Sequence, residues 1–251
     1  MKPPHTLYIT CVRGSHTFAH GRSNSASPDD SPDRPLVLVV HGLMGHSEET
    51  YVRQCCSEIC VKDHRHPLVV AMNYRGAFMN KLTTTSNKGI GGGYSIYDTL
   101  DIGLLISHLR ETHHGPLFVV GFSMGAAKLC NFLGRTGAKS NIDGAVCICC
   151  PWDFTAKNEA VHAPNFTETC YHFILANAIK LWVIMHYSAL SQNQKLAKKS
   201  PAFRRTRSGL LWWMQTHDMV SFDASFTINW LGYDSVEEYY EAASPNVQVR
   251  R

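Results

Sequence analysis

The ten residues "VVGFSMGAAK" (119–128) decide how the rest of the chain is read. They hold G-x-S-x-G, with Gly121, Ser123 and Gly125, between the apolar run "LFVV" (117–120) and the helix-forming run "MGAAKLCNFLG" (124–134). A motif this short arises by chance in roughly one chain in ten of this length, so context decides. A strand, a sharp turn and a helix are the context a nucleophile elbow requires. At such a turn Gly121 and Gly125 have to be small, because larger side chains would collide across it. The geometry would expose Ser123 Oγ at the end of the strand and aim the helix N-terminus and the Met124 N–H at the same spot.

Working outward, three further apolar runs have strand length: "LVLVV" (36–40), "LVVAM" (68–72) and "GAVCICC" (144–150). Most of these runs are continuous rather than alternating, as in parallel strands buried on both faces. Helical patterns lie between them, over 48–62, 96–112 and 124–133. In the second, Leu100, Leu104, Leu105 and Leu109 fall on one predicted face, and Ser95 with Asp98 predicts a capping pair. Residues 7–12 read as a first strand and 19–35 as an exposed Ser-, Pro- and Asp-rich loop. The alternation predicts a doubly wound α/β sheet. After Pro151 it stops, and 151–220 read as an inserted helical cap on a core formed by 1–150 and 221–251.

The second strand-linked turn, "VLVVHGLMG" (37–45), offers the Leu43 N–H beside the elbow. Leu43 and Met124 are therefore the two candidate oxyanion donors, each such donor being worth about 3 kcal/mol to a charged tetrahedral intermediate. His41, in the same turn, reads as a structural residue bonding nearby backbone.

Composition limits the function classes. Hydrophobic residues make up 44% of the 251 and charged residues 18%, which suits a folded globular protein. The net charge is +4, yet "KLAKKSPAFRRTR" (195–207) alone carries six basic residues and no acid. The remainder is slightly acidic, which argues against a nucleic-acid binder. Nine cysteines without zinc-like spacing read as reduced, mostly buried thiols in a protein facing the cytosol, those of "AVCICC" in a buried strand. The histidines at 64, 66, 113 and 114 read as solvated rather than as metal ligands, and "GIGGGYS" (89–95) as a loop rather than a phosphate cradle. No metal or cofactor is expected. The sequon Asn165-Phe166-Thr167 carries little weight. No signal peptide is visible, and "FILANAIKLWVIMHYSAL" (173–190) reads as an amphipathic or buried helix, not a membrane span.

Taken together, "HGLMGHSEETYVRQ", "NYRG" (73–76), "YSIYDTLD" (94–101), "GFSMGAAKLCNFLG", "CCPWDF" (149–154) and "FDASFTINWLGYDSVEEYYEAASP" (222–245) resemble the α/β-hydrolase type-4 family. That family includes YheT-like hydrolases, yeast medium-chain fatty-acid ethyl ester synthase/esterases and animal lipid hydrolases. The resemblance covers about 36–249. It implies an α/β-hydrolase doubly wound, mostly parallel sheet with a helical cap, and a serine hydrolase acting on carboxylic esters through an acyl-enzyme, with acyl transfer to alcohols as a further expectation. Lipid or medium- to short-chain acyl esters are the expected substrates. Trp182, the basic run and "LLWWM" (210–214) suggest peripheral membrane contact through 195–214, on a cytoplasmic or cytosol-facing protein.

In that family the triad acid and histidine follow strands that come after the "YYEAASP" helix. The sequence stops at "NVQVRR", so the expected chain lacks the last strands and both residues, and strand 144–150 is left with an unpaired apolar edge. Two readings stay open: an esterase whose acid and base lie outside these residues, and a catalytically inactive binding or regulatory protein. A substitute base is sought among His162, His172, His186 and His217, with His217-Asp218 the leading pair.

Overall fold

The computed structural model describes residues 9–13, 17–20, 34–63, 67–77, 80, 82, 93–155, 166–192, 200, 212 and 214–249. Its centre is β3 (Leu36–Val40), which lies between β4 (Leu68–Met72) and β5 (Leu117–Phe122), all three parallel. β6 (Gly144–Ile148) adds in parallel beyond β5. An antiparallel pair, β1 (Ile9–Arg13) and β2 (Thr17–His20), closes the opposite edge against β4. The order across the sheet is β2-β1-β4-β3-β5-β6.

The side chains of β3 explain its place. Leu36, Leu38 and Val40 belong to one core, with Val70, Met72, Leu117 and Val119. Val37 and Val39 face the other way, with Val69, Ala71, Val52 and Cys56. Each fully buried Val or Leu contributes about 1.5–3 kcal/mol, so a strand buried on both faces is held at the centre. Helix α1 (Thr50–Lys62) covers the second face; α2 (Leu100–Thr112) and α3 (Met124–Thr136) cover the first. The expected strands and the sheet class are all present, with β2 running into the first two residues of the segment read as loop, 19–35; of that segment, 21–33 lie outside the described residues.

Three local expectations are corrected. Helix α2 starts at Leu100, and its N-cap Thr99 makes no side-chain cap bond. Ser95 Oγ has no partner, while Asp98 Oδ1 accepts the Leu100 N–H at 2.9 Å. The buried face of α2 is Asp101, Ile102, Leu105 and Ile106, whereas Leu100 and Leu104 are exposed. The cause is an ion pair: Asp101 turns inward to take the Arg75 guanidinium at 2.7 Å. In addition, β6 takes the edge position among the described residues, as its unpaired apolar edge implied, but the strand of "AVCICC" is not buried, with Val146 and Ile148 exposed.

No strand follows β6 among the described residues. Helix α4 (Phe166–Met185) and the short α5 (Tyr187–Ser191) come first. Helix α6 runs through Met219–Phe222, a π-helical turn Asp223–Thr227 and Ile228–Leu231. Then come α7 (Val236–Ala243) and α8 (Pro245–Val249), the latter packed on α3, where Gly134 leaves room for the Gln248 backbone. Ser235 caps α7 by accepting the Glu238 N–H. Helix α4 buries Ala176, Ile179, Trp182 and Val183 but exposes Phe166, Phe173, Ile174, Leu181 and Ile184, so it is apolar on both sides rather than amphipathic. No helix among the described residues is long and apolar enough to cross a membrane.

Candidate active site

Strands β3 and β5 are neighbours, with Val40 opposite Gly121. The turns that leave their C-terminal ends therefore meet, at the place where an open α/β sheet forms its crevice. Ser123 sits at φ 51°, ψ −117°, a conformation that L-residues avoid, and it is exposed. Its N–H is held by the Ile148 carbonyl at 2.9 Å. Its Oγ bonds no group among the described residues.

Two glycines make this turn possible. A Cβ on Gly121 would stand 2.7 Å from Ala126 Cα, and one on Gly125 would stand 2.5 Å from the carbonyl oxygens of His41 and Val40. The elbow and the β3 turn are thus in backbone contact. The β3 turn is fixed by side chains from elsewhere. Tyr51 Oη accepts the Gly42 N–H (2.9 Å), and Tyr74 Oη donates to the His41 carbonyl (3.1 Å). Asn73 Oδ1 accepts the Ser47 N–H (2.8 Å). The N–H groups of Leu43 and Met124 donate to nothing among the described residues, and both residues line one cavity with Ser123.

His41 is buried, donates Nδ1–H to the Gly42 carbonyl at 2.8 Å and packs edge-on to Tyr74. Burial, reinforced by the nearby Lys128 ammonium, pulls its pKa down to about 4, so it is neutral. Beneath it lies a buried charge cluster of Arg75, Asp98, Asp101 and Lys128. Lys128 Nζ donates to the Gly93 carbonyl at 2.8 Å and sits 4.2 Å from the Tyr74 ring centre. Burial lowers its pKa to about 8 against the pull of Asp98 and Asp101.

The Ser123 cavity measures about 240 Å³. Its walls are mostly apolar, with Leu43, Ile96, Phe154, Leu175 and Val220 among them. Polar groups enter from Tyr94, His172, Asp223 and Tyr240. Asp223 is buried, and burial raises its carboxyl pKa to about 6 although Thr227 and Tyr240 both donate to it. A neighbouring cavity of about 390 Å³ lies beyond Tyr94 and Met124, lined by His41, Tyr74, Trp182 and His186.

The histidine expectation is corrected. His217 is exposed and stacked on Phe173, away from the Ser123 cavity, and Asp218 caps α6 instead. His186 bonds the Gly76 carbonyl at 2.9 Å. His172 does reach the Ser123 cavity, with Nδ1 unpartnered, but no hydrogen bond joins it to Ser123 or Asp223. His162, His64, His66, the glycines at 89–92, the basic run 195–207, most of "LLWWM" and Asn165 of the sequon lie outside the described residues. Cys56 and Cys130 are buried free thiols, and Cys149 and Cys170 are exposed ones. Among the described residues no group of His, Cys, Asp or Glu is placed to hold a metal.

Tyr51, Tyr74, Lys128, Tyr94, Asp223 and Tyr240 were given no role by sequence reasoning. Their one signal is membership in the segments that carry the family resemblance: "HGLMGHSEETYVRQ", "NYRG", "YSIYDTLD", "GFSMGAAKLCNFLG" and "FDASFT…YYEAASP".

No family model matches the chain. Curated relatives do. It is 30% identical over 220 residues to medium-chain fatty acid ethyl ester synthase/esterase 2 of Saccharomyces cerevisiae, covering 84% of this chain and 47% of that protein. It is 30% identical over 224 residues to a monoacylglycerol lipase of the same yeast, covering 87% and 46%. To phospholipase ABHD3 of Mus musculus it is 26% identical over 229 residues, covering 91% and 50%. The chain spans about half the length of the curated relatives it matches.

Proposed function

We propose that the chain is an α/β-hydrolase and, within that fold, a serine hydrolase of carboxylic esters, with Ser123 as nucleophile; its similarity to the esterase and lipases above supports this. The observation that carries this is the elbow: an exposed serine at positive φ, its Oγ unbonded, between two unbonded N–H groups in an apolar cavity. Ser123 Oγ attacks the ester carbonyl as a general base takes its proton. The Leu43 and Met124 N–H groups receive the charge that develops on the carbonyl oxygen. The intermediate collapses, the alcohol leaves with a proton, and the acyl group stays on Ser123. Water or an alcohol then takes the acyl group, giving hydrolysis or ester exchange.

The relatives' names point to lipid and medium-chain acyl esters, and the apolar wall of the cavity supports the same class here. We place the base and its acid in the part of the relatives' length that this chain does not span. Residues 151–220 act as the cap over the core of 1–150 and 221–251; α4 lining both cavities supports this. Peripheral contact with a cytosol-facing membrane through 195–214 rests on the six basic residues and the tryptophans of that stretch. Vesicle sedimentation tests it: substituting Lys198, Lys199, Arg204 and Arg205 should abolish dependence on anionic lipid.

A fluorophosphonate probe tests the chemistry. Labelling that vanishes in Ser123→Ala, followed by turnover of p-nitrophenyl acyl esters, supports the enzyme. The alternative reading, an inactive binding protein, is not favoured by the relatives, which are named as esterases and lipases. Saturable lipid binding without any probe labelling would select it.

A further inference from the structure

Hydrocarbon needs nothing from a cavity but apolar wall, yet the Ser123 cavity carries a polar strip. Asp223 and Thr227 lie in the π-helical turn of α6, a departure from α-helix that concentrates at functional sites. Thr227 Oγ1 donates to Asp223 Oδ1, and Tyr240 Oη donates to Asp223 Oδ2 at 2.9 Å. A carboxylate has about four acceptor positions, so two remain for a ligand. Beside it, the Tyr94 hydroxyl is buried; its polar contact is with Thr227, whose hydroxyl is already committed to Asp223, and the contact falls short of a well-formed hydrogen bond. Its ring is fixed edge-on to Trp182, with centres 4.9 Å apart, and near Trp230 at 5.7 Å. A buried tyrosine hydroxyl satisfied only by so weak a contact is costly unless something supplies a better partner.

We propose that Tyr94 and Asp223 form an alcohol-recognition subsite that binds a free hydroxyl of the substrate's alcohol portion, as in an ester of a glycerol-like polyol. The inference rests on the esterase reading of the Ser123 cavity. A hydroxyl both donates and accepts, so it can give its proton to Asp223 and take one from Tyr94. An anionic head group would be repelled by Asp223. A quaternary ammonium has no proton to give and would leave Tyr94 unbonded. A methyl or ethyl ester would leave the strip unfilled.

Non-hydrolysable ethers test this on the whole chain without requiring turnover. Binding of 1-O-octylglycerol and of octyl methyl ether is measured by calorimetry. The glycerol ether should bind about tenfold more tightly, as one well-made hydrogen bond implies. Tyr94→Phe keeps the ring and loses only the weak contact with Thr227, so it should fold normally, erase that preference and leave methyl ether affinity unchanged. Asp223→Asn should reduce the preference as well. Equal affinities in the wild type, a preference that survives both substitutions, or tighter binding of octylphosphocholine would each overturn the subsite alone. Failure of both ethers to bind would overturn the reading of the cavity as an ester site, and the subsite with it.

Discussion

Gly125→Ala separates what a helix wants locally from what the elbow demands. Gly125 lies in the first turn of α3 without a positive φ, so alanine is conformationally acceptable there. On helix propensity alone the change should stabilise the chain by about 1 kcal/mol. The structure predicts the reverse. The new Cβ would lie 2.5 Å from two backbone carbonyl oxygens, those of Val40 and His41. Neither can rotate away as a side chain could, so α3 and the β3 turn must part by about half an ångström to reach tolerable contact. Overpacking of that kind costs about 1–3 kcal/mol, and rigid backbone on the far side puts it at the upper end. After the helix gain, a net loss of about 2 kcal/mol is expected, or about 4–8 °C in Tm for a chain of this size. The parting also moves the Leu43 N–H away from Ser123, and a displacement of that order slows acylation by about 10–100-fold. Urea unfolding and the rate of fluorophosphonate labelling read the two effects separately. Gly232→Ala is the control: its φ is +87° with nothing within 4 Å, so it should cost about 1 kcal/mol in backbone strain and leave labelling alone. A Gly125→Ala protein at least as stable as the wild type and labelled at the same rate would refute the steric reasoning.

Lys128→Met should destabilise the chain by about 3–5 kcal/mol, because it leaves two buried carboxylates facing Arg75 alone and the Gly93 carbonyl without its donor; a loss under about 1 kcal/mol in urea titration would contradict this. His41, with its pKa near 4 in the folded state, contributes stability that is complete above about 6.5 and is lost as pH falls toward 4. His41→Asn should remove about 3 kcal/mol of that slope, seen in Tm measured across the window. Asp223 has the opposite sign. Its pKa is raised from 3.8 to about 6 by burial, with Asp218 adding to the rise, so its ionisation costs stability as pH climbs through that interval. Relative to wild type, Asp223→Asn should therefore fare better at pH 7 than at pH 4, by about 3 kcal/mol. An unchanged difference across the range would show that its carboxyl does not titrate there.

Several parts of the site stood outside the reach of sequence patterns for identifiable reasons. The leucine spacing of 100, 104, 105 and 109 predicts one face of α2; Leu105 and Leu109 do pack on the core, but Leu100 and Leu104 are exposed and Asp101 turns inward, where Arg75, 26 residues away, gives its carboxylate an ion pair. His217-Asp218 looked like a base with its orienting acid, but Asp218 bonds the Ser221 N–H and Oγ as a helix cap. His172 reaches the cavity because α4 lies across it. The polar strip of Tyr94, Asp223 and Tyr240 joins a loop before α2 to two late helices, and no local spacing relates them.

The central strands and the elbow are legible in the amino-acid sequence alone. A strand buried on both faces has to be apolar throughout, and a strand-to-helix turn this sharp has to be glycine on both sides of the serine, so each requirement is written in adjacent residues. Only the tertiary structure decided which turn faces Ser123, how Tyr51 and Tyr74 hold it, where four buried charges balance, and which polar groups line the cavity. Those outcomes depend on pairings between residues tens of positions apart. Their energies come from desolvation and hydrogen bonding at close range, and neither exists until the chain has folded.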